Sequence, residues 1–150
     1  MKAVIQRVSE ASVVIDGEKV AQIGKGLLIL LGVERGDEQS DMEWLARKCA
    51  AMRIFPDAAD VMNFSVRDVD GEVLVVSQFT LAASIRKGNR PSYINAAGHD
   101  LAIPLYEGFC AEMERETGKS VGRGRFGADM KVSLVNDGPV TIVIDSRLKE

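Results

Sequence analysis

The sequence predicts an α/β fold: a curved, barrel-like β-sheet with two helices packed on one side. Three observations carry this reading. The run Leu27–Val33 is apolar without alternation, as a strand buried on both faces is, and "VLVVSQF", Val73–Phe79, reads as another buried strand. Each is followed downstream by a stretch with helical spacing. The chain opens and closes with strand-like segments interrupted by Asp-Gly dipeptides. The order strands, strand-helix, strand-helix, strands suits a sheet with its helices on one face.

The elements follow in order. Residues 2–24 read as strand, strand, an Asp16-Gly17 turn and a further strand, and Leu27–Val33 as a buried strand. Ser40 and Glu43 have the spacing of a capping box, and Met42, Leu45, Ala46, Cys49 and Met52 recur at helical spacing, which predicts a helix over 41–53. Residues 55–72 read as loop with a short strand and an Asp70-Gly71 turn. A second buried strand follows, then a long polar loop over 82–97. Asp100 is a plausible cap for a second helix over 100–117. Pro104 is tolerable there because it lies near the first turn, and Gly118 ends the helix. Residues 120–127 form an open, glycine-rich segment. The closing "SLVNDGPVTIVID", Ser133–Asp145, reads as strand, turn, strand.

At 150 residues and 46% apolar, the chain predicts one domain over 1–150, burying roughly two-thirds of its unfolded surface. A net charge of −3 argues against a uniformly basic coat for non-specific nucleic-acid binding but leaves room for a local basic patch. Cys49 and Cys110 sit among apolar neighbours and read as buried small hydrophobes, not as a disulfide framework. The first residues lack a signal-peptide pattern, and the longest apolar run is too short to cross a bilayer. A soluble, cytoplasmic protein without membrane contact is the expectation.

Chemistry is sparse. The single histidine, His99, stands beside the start of the second helix and reads as a cap neighbour or surface residue. One histidine and two scattered cysteines give no zinc-ligand spacing, and no metal or cofactor is expected. "GRGRFG" is a weak match to a nucleotide loop, because no helical pattern follows it. By contrast, Ser77, Gln78 and Thr80 stand at the C-terminal end of a buried strand, where α/β proteins commonly contact ligands. Beyond them Arg86, Lys87 and Arg90 crowd into one loop and could meet phosphates, with Arg123 and Arg125 extending the patch.

One feature of the last segment is unusual. Asp137-Gly138 would make a tight turn by itself, yet Pro139 follows and removes a backbone donor where the next strand should begin to pair.

The segments "IQRVSEASV", "GLLILLGV", "VVSQFTLAA", "NRPS", "GRFGADM" and "VSLVNDGPVT", in this order along essentially the whole chain, resemble the D-aminoacyl-tRNA deacylase family. "SQFTL" and "NDGPVT" are long and specific. The resemblance implies a homodimer that hydrolyses the ester joining a D-amino acid to the 3′ end of tRNA, with active sites at the subunit interface. It implies that Ser77, Gln78, Phe79 and Thr80 form the catalytic strand-end motif. Gly138 and Pro139 would be a Gly-cisPro motif reaching into the partner's pocket and rejecting L-amino acids. Phe126 and Met130 would line or flank the site, and Arg7 would hold the Gly-Pro turn.

Two chemical schemes follow: Thr80 as nucleophile, or water attacking with help from the terminal ribose 2′-hydroxyl. The absence of a visible base for Thr80 favours water. Glycyl-tRNA should also be cleaved, since glycine has no side chain to exclude. A non-catalytic binder of RNA ends and a hydrolase of small D-aminoacyl esters are the alternatives.

Overall fold

The computed structural model describes residues 1–150. Strand β1, Lys2–Ile15, is one strand of 14 residues, where the sequence predicts two. No glycine or proline interrupts it. Its N-terminal half pairs antiparallel with β3, Gly26–Gly32, and its C-terminal half with β2, Glu18–Ile23. Polar Ser9 and Glu10 lie exposed between the halves and mark a change in the face that is buried. Strand β3 continues the sheet in parallel to β6, Glu72–Ser77, which pairs in parallel with the short β7, Gly122–Arg123. A small hairpin, β4 (Phe55–Pro56) and β5 (Met62–Phe64), lies outside this sheet. The sheet curls until Gly122 packs against Leu74 of β6 and Ile23 of β2, so it is nearly a closed barrel.

The two predicted buried strands are buried for opposite reasons at alternate positions. Leu27, Ile29 and Leu31 of β3, with Val73 and Val75 of β6, face the helix-covered core. Leu28, Leu74 and Val76 point the other way, into the barrel with Val8, Ala11, Val13 and Ile15 of β1. A strand apolar on both faces loses the alternation of a half-exposed strand.

Helix α1, Gln39–Ala51, buries Met42, Leu45, Ala46, Cys49 and Ala50 against this sheet and against α2, His99–Thr117. Its cap differs from the predicted Ser40–Glu43 pair: Glu38 is the N-cap, and the Asp41 carboxylate accepts the Glu38 N–H at 2.9 Å. The helix is thus set about two residues earlier. In α2, Gly98 is the cap, while Asp100 lies in the first turn, and Gly118 closes the helix in the left-handed region at φ 72°. Pro104 sits inside α2 at its sixth residue.

The largest departure is at the C-terminus. Residues Lys131–Asp145 are not a hairpin but one strand, β8, whose two arms both run antiparallel to β1. A hairpin would pair the arms with each other; here β1 is long enough to pair both. Gln6 faces Thr141 and Val8 faces Asn136, so the single residue Arg7 stands opposite the four residues Asp137–Val140, a bulge whose first three residues are exposed while Val140 turns back into the core. The other edge of β8 is unpaired, with Val135 and Val143 exposed at 50% and 67%.

Parallel pairing of β3 with β6 leaves no room at its first position, Gly26 opposite Glu72. A Cβ at Gly26 would land on the Glu72 carbonyl. Gly26→Ala should therefore cost at least about 2 kcal/mol in urea unfolding, as overpacked positions do. Gly88→Ala, at an exposed φ 91° turn with nothing near its absent Cβ, should cost less.

Candidate active site

Strands β3 and β6 end side by side, with Leu31 paired to Ser77 and the Gln78 N–H donating to the Leu31 carbonyl at 2.8 Å. Beyond this point the two chains part. After β6 the backbone enters a short 3₁₀ turn, Phe79–Ala82. After β3 it makes a turn at Glu34–Asp37 and is clipped to the far end of the long loop, with Ala97 N–H bonded to the Val33 carbonyl and Arg35 N–H to the Asn95 carbonyl. The gap between them is a cavity of about 670 Å³. Its floor is Val76, Ser77 and Gln78; its walls come from Phe79 and Tyr93, from the start of α2, and from the glycine-rich segment with Phe126 and Met130.

Aromatic contacts hold the walls. Phe79, 55% exposed, meets Tyr93 edge-to-face at 5.1 Å. Opposite, Phe126 is packed between His99 at 5.4 Å and Tyr106 at 6.0 Å. The Tyr106 hydroxyl donates to the Val75 carbonyl at 3.0 Å, and burial raises its pKa further, so this phenol is fixed and stays protonated. The sulfur of Met130 fills the space that a side chain at Gly124 would need.

Of the residues predicted for the site, Ser77, Gln78, Phe79, Phe126 and Met130 line this cavity. Thr80 stands just outside its lining, and its hydroxyl accepts a hydrogen bond from the Gln78 side-chain amide. That partner is a donor and no base. Neither cysteine supplies a nucleophile: burial pushes the Cys49 thiol up to about 12 and the Cys110 thiol to about 11, so both remain protonated near neutrality. Arg86, Lys87 and Arg90 lie in an exposed loop, tied at its base by reciprocal Ser84–Ser92 backbone bonds of 2.8 Å, away from the cavity.

Gly138 and Pro139 are exposed in the β8 bulge and do not reach the cavity of their own chain. Their peptide bond is cis, and Gly138 has φ 146°. Two side chains brace the bulge. Arg7, buried at 9% exposure, donates from Nε to the Asp137 carbonyl at 2.8 Å and from a terminal nitrogen to the Ile54 carbonyl at 2.7 Å. Asn136 accepts the Val140 N–H at 2.8 Å and donates to the Thr141 hydroxyl at 3.0 Å. Its amide thus replaces the ladder partner that Val140 loses in the bulge.

Sequence reasoning missed Asn136, Arg35, Tyr93 and Tyr106. It read His99 as a cap neighbour or surface residue; His99 is exposed, but it also forms part of the cavity wall. Only the fold brings these positions together. An asparagine directly before Asp-Gly-Pro was the one local signal available.

The fold and this strand-end cavity define a class: small, nearly closed α/β barrels with two helices and a cavity, lined mostly by neutral polar, aromatic and apolar side chains, where two parallel strands part. The chain belongs to the family described as D-Tyr-tRNA(Tyr) deacylase, whose model matches residues 4–145. It is 61% identical over 150 residues, covering 100% of both chains, to a D-aminoacyl-tRNA deacylase of Flavobacterium johnsoniae. It is 56% identical, again over the full length of both, to one of Bacteroides thetaiotaomicron. Among solved structures it is similar to a c-Myc DNA Unwinding Element Binding Protein, with TM-score 0.90 and 39% identity over 97% of this chain and 98% of that one. The same fold recurs, with TM-score 0.80 at 16% identity over 95% and 97% of the two chains, in a probable eukaryotic D-amino acid tRNA deacylase.

Removing the Arg7 guanidinium would leave the buried Ile54 carbonyl and the part-buried Asp137 carbonyl without this donor. Arg7→Met should lower unfolding free energy by about 2–4 kcal/mol, since hydrogen bonds to charged groups are worth about 1.5–3 kcal/mol each. A loss below about 0.5 kcal/mol in denaturant titration would mean that the bulge supports itself.

Proposed function

We propose that this protein hydrolyses D-aminoacyl-tRNA, releasing the D-amino acid and tRNA with a free 3′-hydroxyl, as a proofreading step of translation in the cytoplasm. The observation that carries the reading is the placement of Ser77, Gln78 and Phe79 on the floor and wall of the strand-end cavity, in a chain whose relatives are named D-aminoacyl-tRNA deacylase. The whole chain, 1–150, acts as one domain.

The ester is labile, so catalysis rests on positioning. The first N–H groups of a helical turn have no carbonyl behind them. Those of Phe79 and Thr80 open the 3₁₀ turn and are suited to the oxyanion that develops on the ester carbonyl. Such a donor is worth about 3–4 kcal/mol in well-studied cases. Water attacks the carbonyl carbon, oriented by the 2′-hydroxyl of the terminal ribose. The bond to the 3′-oxygen then breaks, and that oxygen takes up the proton. Thr80 positions the ligand; its hydroxyl is paired with an amide, and no base touches it.

Chiral selection falls to Gly138 and Pro139 from a second copy of the chain. Both are exposed on a braced bulge that its own cavity does not use, on a strand with one edge unpaired. Those features suit a homodimer with each bulge in the other's pocket. An L side chain would meet the bulge backbone; a D side chain would point away from it. Phe126 and Met130 flank the ligand, Arg7 holds the bulge, and Arg86, Lys87 and Arg90 meet tRNA phosphates.

The test is release of amino acid from charged tRNA. D-tyrosyl-tRNA should be cleaved well above its spontaneous rate and L-tyrosyl-tRNA spared. Glycyl-tRNA should be cleaved as well, because a site that works by excluding an L side chain has nothing to exclude there. No acceleration with D-tyrosyl-tRNA would leave a binder of RNA ends, and equal cleavage of a short D-aminoacyl ester would remove the tRNA from the reaction. Thr80→Ala should keep measurable deacylation. Complete loss, with tRNA binding and folding intact, would instead make Thr80 the nucleophile.

A further inference from the structure

We propose that Arg35 is the residue that anchors the phosphate on the 5′ side of the terminal nucleoside, fixing how far the acceptor end enters the cavity. The inference rests on the deacylase reading and adds to it a binding residue outside the strand-end and Gly-Pro motifs. No aspartate or glutamate lines the cavity, although the chain as a whole carries a net charge of −3. Arg35 is the one lysine or arginine among the lining residues. A cavity wall with a cation and no carboxylate admits an anionic ligand.

The turn that carries Arg35 leaves its guanidinium uncommitted. The acids beside it are already used: Glu34 pairs with Lys2 at 3.0 Å, and Asp37 with the Met1 amino group at 2.7 Å and Arg147 at 3.1 Å. Arg35 itself takes part in no ion pair. Its backbone, by contrast, is fixed on both sides. Its N–H bonds to the Asn95 carbonyl at 2.9 Å, its carbonyl accepts from Arg147, and the Asp37 carboxylate closes the turn on the Glu34 N–H at 2.7 Å. Because the backbone of the turn is already fixed, only the Arg35 side chain has to be ordered when a ligand arrives.

Position gives the specificity. Arg35 lies four residues beyond Leu31, the partner of Ser77, on the segment that departs from the strand-end motif, and its exposed side chain shares the lining of the cavity with Ser77 and Gln78. A nucleoside whose 3′ ester reaches Ser77 and Gln78 must trail its 5′ phosphate back towards the opening. Arginine suits that group, since its planar fork can hold two phosphate oxygens at once. The loop cations Arg86, Lys87 and Arg90 lie outside the lining and would meet phosphates further along the strand.

The test uses a stable amide analogue, 3′-(D-tyrosylamino)adenosine, made with and without a 5′-phosphate, so that binding is read without turnover. The intact protein should bind the phosphorylated form at least about tenfold more tightly at low salt, a difference of about 1.4 kcal/mol. Arg35→Gln should abolish that preference and Arg35→Lys should keep part of it. With a single-stranded RNA ending in CCA, Arg35→Gln should also flatten the dependence of log K on log salt by about 0.7, the share of one phosphate. Equal binding of the two analogues by the intact protein, or an unchanged preference in Arg35→Gln, would overturn the proposal. Deacylation of D-tyrosyl-tRNA by the intact protein is measured alongside, so a failure of the enzymatic reading is seen separately from a failure of the anchor.

Discussion

The guanidinium of Arg7 is the constraint on which the rest of this structure turns. Strand β8 is four residues long where β1 has one, and an unsupported insertion of that size would expose or orphan several backbone groups. Arg7 occupies the mismatch itself. It donates outward to the Asp137 carbonyl and inward to the Ile54 carbonyl, so the bulge is tied both to its own strand and to the segment leading into β4. Asn136 closes the remaining donor, the Val140 N–H. The result is a projecting loop with little freedom, carried by the longest pairing in the sheet. The chiral discrimination proposed for this bulge requires such stiffness, because a compliant surface would yield to the wrong hand at small cost.

The position of the cavity follows from the same sheet. Parallel pairing of β3 with β6 brings two strand ends to one place, and both chains must then diverge, which opens a crevice. Burial of the sheet on both faces makes that crevice rigid: the helix-covered core fixes Leu31 and Val75, and the barrel interior fixes Val76 and Leu28. The polar groups at the end of β6 therefore sit on a platform that neither core can release. Aromatic contacts, Phe79 with Tyr93 and Phe126 with His99 and Tyr106, brace the cavity lining through edge-to-face packing.

Much of this was legible in the sequence, and what was not has a physical reason. The runs Leu27–Val33 and Val73–Phe79 identified the two strands at the heart of the sheet, the second ending at Ser77 in the structure; helical spacing found the first helix, and Pro104 with Gly118 bounded the second. Capping was misjudged by about two residues, because Glu38 with Asp41 and Ser40 with Glu43 have the same spacing and only the folded chain chooses between them. The hairpin reading of Ser133–Asp145 failed more instructively. Asp-Gly-Pro looks like a turn locally, but whether two arms pair with each other or with a third strand depends on the length of β1, a non-local property. The site divided in the same way. Ser77, Gln78 and Phe79 could be placed at a strand end from sequence, while Arg35, Tyr93 and His99 come from three separate segments and reach the cavity only through tertiary structure.

The chemistry available in the cavity explains why those tertiary contributions carry weight. Its polar groups are amides, hydroxyls, an imidazole and one guanidinium; the thiols are buried and protonated, and the hydroxyl of Thr80 is held by an amide. A site so composed gains little by raising the reactivity of a protein nucleophile. What it can do is restrict geometry, and restricted geometry is worth several kcal/mol when the bond to be broken is already activated. On this account the accuracy of ligand placement sets the rate. In the proposed mode of binding, ligand placement depends on three supports that are far apart in sequence: the β6 terminus, the turn at Arg35 and, from a second copy of the chain, the bulge held by Arg7. Each is fixed by hydrogen bonds to backbone groups, and at the Arg35 turn the Met1–Asp37 pair that adds to them is buried, so it is screened far less than a surface pair would be.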